Sequence, residues 1–84
     1  GCCSCPTFAF FDYTISGRTV TFSDKSTGNP VQWAWTFGNG GNSQLRNPVY
    51  TYSKSGTYTV TEMVKGRRCD GYTYWVSYKK SVKV

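Results

Sequence analysis

The chain has no histidine, and its 84 residues include only four carboxylates, Asp12, Asp24, Glu62 and Asp70. The side chain that most often moves protons near neutral pH, and most often ligates metals, is therefore missing. Paired-carboxylate hydrolysis needs two carboxyl groups about 5–10 Å apart across a cleft, and these four are scattered along the sequence. No catalytic, cofactor-binding or metal-ligating set is expected, and so no enzymatic activity. Apolar runs are short. None approaches the roughly 18 residues that a membrane-spanning helix needs. Helical periodicity of useful length is also absent, which removes the recognition helix that sequence-specific DNA binding usually employs.

What the chain does have is positive charge. Ten Lys and Arg against four acids give a formal net charge of +6. The basic residues are dispersed, with adjacent pairs only at Arg67-Arg68 and Lys79-Lys80. A solvated, non-aggregating surface is the first reading of that charge, and contact with an acidic polymer or polysaccharide is the second. No Asn-x-Ser/Thr sequence offers an N-glycosylation acceptor. No signal peptide is visible, so a secreted protein would be present here in mature form or as an excised domain.

Aromatics are abundant: three Trp, seven Tyr and five Phe. Each can bury roughly 150–250 Å² when enclosed, which a small domain needs. Their spacing points to strands. Trp33, Trp35 and Phe37 recur at period two, so one strand over 31–37 carries them on one face. Gly38-Asn39-Gly40 end it, because these residues tolerate the positive φ of a tight reversal. Phe8, Phe10 and Tyr13 mark a first strand running to Ile15, with Ser16-Gly17 as its turn. Val20 and Phe22 face inward from the second strand. Pro30 suits a strand entry, where no ladder donor is required. A short strand near 43–45, another at 49–52, then 57–65 and 72–84 complete the set. Seven strands joined by Gly, Asn, Pro and Ser turns predict an all-β fold, a seven-stranded Ig-like antiparallel β-sandwich with Greek-key connections. Val20, Phe22, Trp35, Phe37, Tyr58 and Val60 are its expected core.

The same residues resemble the PKD domain, an immunoglobulin-like family. Its Trp-x-Phe-Gly-Asp-Gly motif is matched by Trp35-Thr36-Phe37-Gly38-Asn39-Gly40. Asn47-Pro48 and Tyr52 follow, and Gly56-Thr57-Tyr58-Thr59-Val60 opens a strand like the family's Gly-x-Tyr-x-Val. The resemblance runs from about Phe8 to Val84. Asn39 stands where the family usually has aspartate; it keeps an oxygen acceptor and loses the charge, so a turn role is expected and a calcium role is not. The chain accordingly divides into a cysteine-rich leader, 1–6, and a PKD-like sandwich, 7–84.

Cys2, Cys3, Cys5 and Cys69 suit disulfides in an oxidising compartment. Zinc is the weaker alternative, since adjacent cysteines crowd a tetrahedral site and no histidine is available; free thiols are the third. In an Ig-like sandwich the first strand starts at the end where the last two strands are joined, and Cys69 falls in that joining loop. Cys69 is therefore expected to bond to a leader cysteine, Cys3 or Cys5 first.

Two features depart from a plain sandwich. By alternation Glu62 should point inward, where the family carries leucine. A bulge turning it outward, together with a Tyr hydroxyl or basic partner, is the expected solution; a covering subunit is the alternative. The last strand carries aromatics on both parities: Tyr72, Tyr74 and Tyr78 on one, Trp75 on the other. With Arg67 and Arg68, these are the candidate interaction residues.

The resemblance implies a non-catalytic extracellular or surface module. The first expectation is a structural element of a filament, surface layer or virion coat, standing by itself and contacting copies of itself or neighbouring surface proteins. The alternative is a polymer- or carbohydrate-binding accessory domain of a larger secreted hydrolase.

Overall fold

Side-chain alternation decides which face each strand buries, and the computed structural model, which describes residues 6–84, follows it closely. The strands are β1 (Phe11–Ser16), β2 (Thr19–Asp24), β3 (Pro30–Thr36), β4 (Asn42–Ser43), β5 (Val49–Thr51), β6 (Thr57–Arg67) and β7 (Thr73–Lys83). They form two sheets, ordered β1-β2-β5 and β4-β3-β6-β7, and every pairing is antiparallel. The chain changes sheet after β2, β4 and β5, as Greek-key connectivity requires. The seven-stranded Ig-like sandwich expected from the pattern is the fold observed.

Between the sheets lies a cluster of Phe11, Val20, Phe22, Trp35, Phe37, Tyr52, Val60 and Val82, all essentially inaccessible. Trp35 bridges the layers. Its ring centroid lies 4.9 Å from that of Phe11 and 5.1 Å from that of Phe22, both on the opposite sheet. Each such side chain contributes about 1.5–3 kcal/mol of burial. Tyr52 adds a polar tie, its hydroxyl donating to the Phe37 carbonyl at 2.8 Å in the interior.

Three local expectations need correction. The first strand starts at Phe11 rather than Phe8. Two aromatic parities compete there, 8/10 and 11/13, and the sheet takes the second. Phe11 is fully buried, while Phe8 is 63% and Phe10 41% exposed. Phe8 makes only an isolated bridge to Thr27. Tyr58, expected in the core, is half-buried; it stacks on Tyr52 at 4.1 Å and sends its hydroxyl to the Lys54 carbonyl. Tyr52 occupies the central place instead. The strand expected near 43–45 is a two-residue piece, and Leu45 is 66% exposed.

The reversal after β3 depends on Gly38. Its φ is +85°, and a Cβ there would sit 2.6 Å from the Thr59 carbonyl oxygen. Asn39 Oδ1 accepts from the Gly41 amide (3.1 Å) and the Tyr50 hydroxyl (2.9 Å), and Gly40 also has positive φ.

At the far end of the β6–β7 hairpin, Thr7 is buried against Gly66, which leaves no room for a Cβ. The Thr7 amide donates to the Tyr74 hydroxyl at 2.6 Å, and its own hydroxyl donates to the Gly28 carbonyl. Val84 exchanges backbone bonds with Gly56 at the opposite end of the same hairpin. Thr7 and Val84 thus stand at opposite poles of the sandwich.

Candidate functional site

Glu62 lies on β6 between Val60 and Val64, opposite Trp35 on β3 and Tyr78 on β7, with no break in register. It is fully buried. The expected bulge is therefore not at Glu62; the one irregularity in the β3–β6 ladder falls between Pro30 and Gln32. The partner is also of a different kind from the one expected. Across the sandwich, Asp24 ends β2 on the same inward parity as Val20 and Phe22, and its side chain is buried too.

Two carboxyl groups in one interior cannot both ionise cheaply. Burial, and then the hydrogen bond and charge of Asp24, push the Glu62 carboxyl up to about 9. Burial also opposes ionisation of Asp24. The Glu62 carboxyl and the Ser26 hydroxyl and amide, both of which donate to Asp24 Oδ1, outweigh it and hold that group below its usual range. The opposed shifts favour a proton on Glu62 and the negative charge on Asp24. Ser26 Oγ lies 2.6 Å from Asp24 Oδ1, Arg46 Nε lies 3.6 Å from Asp24 Oδ2, and the Arg46 guanidinium rests over the Trp33 ring at 5.4 Å. The two carboxyl groups are buried beneath the exposed Arg46 side chain, a position from which they act on stability.

The surface features gather on β6, β7 and their connecting loop. Trp75 is 42% exposed, and the Lys65 ammonium sits 5.9 Å above its ring. Tyr72 is 60% exposed beneath the Arg68 guanidinium at 5.5 Å. Arg68 also pairs with Asp70 at 2.8 Å. Tyr74 is engaged with Thr7, and Tyr78 packs inward on Phe10 and Phe11. A shallow open concavity beside the loop is lined by Asn29, Val31, Arg67, Arg68 and Cys69. Among the described residues, no three His, Cys, Asp or Glu cluster as metal ligands would.

A family model described as the PKD domain matches residues 12–71. The chain belongs to the PKD domain family. Among solved structures, the PKD1 domain of the Vibrio cholerae metalloprotease PrtV is 32% identical. It superimposes with a TM-score of 0.77, covering 90% of this chain and 93% of that one. The PKD1 domain of Vibrio anguillarum Epp is 31% identical with a TM-score of 0.72, covering 93% and 94%. Among full-length relatives, the Vibrio cholerae pre-pro-metalloprotease PrtV is 35% identical over 74 residues, which is 84% of this chain and 8% of that protein. Collagenase ColA of Bacillus cereus is 42% identical over 58 residues, 64% of this chain and 6% of its own length. The chain thus spans a small fraction of the relatives it matches. It is a non-catalytic PKD module, although its relatives are enzymes.

Of the interaction candidates in this PKD domain, Tyr72, Trp75, Arg67 and Arg68 are at the surface, while Tyr74 and Tyr78 hold the fold together. Sequence reading passed over Asp24, Ser26 and Arg46. Asp24 had a signal, being the third residue of the inward series 20, 22, 24. Nothing local marked Arg46, which reaches the pair from the connection between β4 and β5. Cys2, Cys3 and Cys5 lie outside the described residues, as does most of the 1–6 leader.

Proposed function

We propose that this PKD domain is a polymer- or carbohydrate-binding accessory module of a secreted hydrolase, working outside the cell through surface contact. The observation that carries the reading is its whole-domain likeness to a PKD1 domain from a metalloprotease, together with its small share of full-length relatives that are a metalloprotease and a collagenase. The exposed rings of Tyr72 and Trp75, each beside a cation, supply contact groups of the right kind. Assembly into a filament, surface layer or coat, the first expectation from sequence, has weaker support, because these relatives are enzymes.

Sedimentation of the chain with insoluble collagen and with chitin tests the reading. Binding to at least one is expected, with a loss of about tenfold in the Tyr72→Ala/Trp75→Ala double variant, the size of a lost aromatic anchor. Absence of binding to either polymer, with self-association rising with concentration in light scattering, would restore the assembly reading.

A disulfide between Cys69 and a leader cysteine belongs to the same proposal. Its support is that Thr7, the first buried residue after the leader, is anchored at the end of the hairpin whose loop carries Cys69. Such a bond would close a loop of more than sixty residues and restrict the unfolded chain. Non-reducing peptide mapping should recover Cys69 joined to a leader peptide, and reduction should lower the melting temperature without altering the β-sheet circular dichroism. Recovery of Cys69 as an unlinked peptide would overturn it.

A further inference from the structure

The cations of this domain are distributed unevenly between its sheets. Strands β1, β2, β3, β4 and β5 contain no Lys or Arg; every strand-borne cation lies on β6 or β7. The ladder pairs Lys65 with Trp75, Arg67 with Thr73, Thr61 with Lys79 and Thr57 with Lys83. All of these positions have the parity opposite to buried Val60, Glu62, Val64 and Val82, so Lys65, Arg67, Lys79 and Lys83 share the outer face of the four-stranded sheet.

No described carboxylate faces that side. Asp12 is on β1 of the other sheet, Asp24 and Glu62 are interior, and Asp70 pairs with Arg68 in the loop. The rest of the face on β6 and β7 is small and hydroxylated, with Thr59, Ser77 and Ser81 between the lysines, and the large apolar groups these two strands put there are Trp75 and Met63, each partly exposed.

We infer that this outer face of β6 and β7 is a docking surface for an extended acidic polysaccharide. The inference rests on the accessory-module reading and names the chemistry of its ligand. Strand rise puts the Lys65/Trp75 level, Lys79 and Lys83 at successive steps of roughly 13 Å along one line. A linear polymer with regularly repeated carboxylate or sulfate groups can satisfy such a row of separated cations. The hydroxyl side chains between them match sugar hydroxyls, and Trp75 offers a flat ring for one sugar to lie on. A folded acidic protein fits less well, since a stable protein interface needs a sizeable apolar centre with anchor pockets. Two partly exposed side chains do not provide one.

Affinity electrophoresis in gels containing polygalacturonate, neutral dextran or poly-L-glutamate tests the assignment. The chain should be retarded by polygalacturonate, less so as salt is added, and not by dextran. Lys79→Glu/Lys83→Glu should weaken binding about tenfold, from two lost and reversed contacts, and Trp75→Ala by about fivefold. Lys25→Glu/Lys54→Glu, the same charge change away from this face, should stay within about twofold of the unaltered chain. Equal losses in the two charge-reversed pairs would reduce the effect to net charge and overturn the site. Tighter retardation by poly-L-glutamate, or equal retardation by dextran, would overturn the ligand class. Binding to collagen or chitin without retardation by polygalacturonate would leave the accessory reading standing and remove this one. Unchanged circular dichroism of each variant ensures that the comparison is between folded proteins.

Discussion

Trp35→Ala should cost the domain a large share of its stability. The indole is 1% exposed and touches Phe11 and Phe22 across the sandwich, so alanine leaves a cavity between two sheets that cannot close over it. Truncations of this kind cost about 3–5 kcal/mol. A domain of this length has a total stability of roughly 4–13 kcal/mol, so the variant should lose from about a quarter of it to nearly all. Urea titration followed by circular dichroism measures it. Trp35→Phe should give an intermediate midpoint and keeps the comparison readable if the alanine variant is already unfolded. Trp75→Ala is the control, an exposed residue of the same type, expected to change stability by less than about 1 kcal/mol. If Trp35→Ala and Trp75→Ala had similar midpoints, Trp35 would not be the bridge described here.

Sequence reading succeeded where alternation and turn chemistry act locally. Trp35 and Phe37 are buried because they occupy one parity of a strand that Gly38 ends, and both signals are contained within a few residues. It was less reliable wherever two local solutions were equally good. Phe8 and Phe10 offer one inward parity and Phe11 and Tyr13 the other; contacts from distant parts of the chain go with the second, among them the anchoring of Thr7 by Gly28 and Tyr74 and the packing of Phe11 on Trp35. Tyr52 and Tyr58 are another such pair. Both fit an inward position, and the Phe37 carbonyl settles the matter by accepting the Tyr52 hydroxyl. The interior carboxyl pair was half legible. Alternation aimed Glu62 inward, but the cost of a lone buried carboxylate argued for turning it out. That cost is avoided by keeping Glu62 protonated beside a second carboxyl group on the facing sheet, and facing-sheet register is not readable from one strand. The cationic face was missed for the same reason, since Lys65, Lys79 and Lys83 look scattered until β6 and β7 are paired.

The shared proton makes stability depend on pH in a definite direction. Glu62 in the folded protein is raised from its ordinary 4.5 to about 9, by burial first and then by Asp24. Below about pH 4.5 it is protonated in both folded and unfolded chains, and its full contribution is present. As pH rises from there towards 9, the unfolded chain releases a proton that the folded one retains. Folding is then disfavoured by up to about 1.4 kcal/mol per pH unit, and the contribution is lost once pH passes the folded value. Asp24 acts oppositely. Its folded value is lowered, so its contribution is present above 3.8 and is lost as pH falls through the folded value. Maximum stability is therefore expected near pH 4–5, with a steady decline towards pH 9. The chain has no histidine to obscure that window. Glu62→Gln retains a donor for Asp24 and removes the titration, so its urea midpoint should be nearly flat over the same range. Midpoints measured at unit pH steps for both proteins decide the matter. If the unaltered protein were as stable at pH 9 as at pH 5, or if Glu62→Gln kept the full slope, the proton would not reside on Glu62.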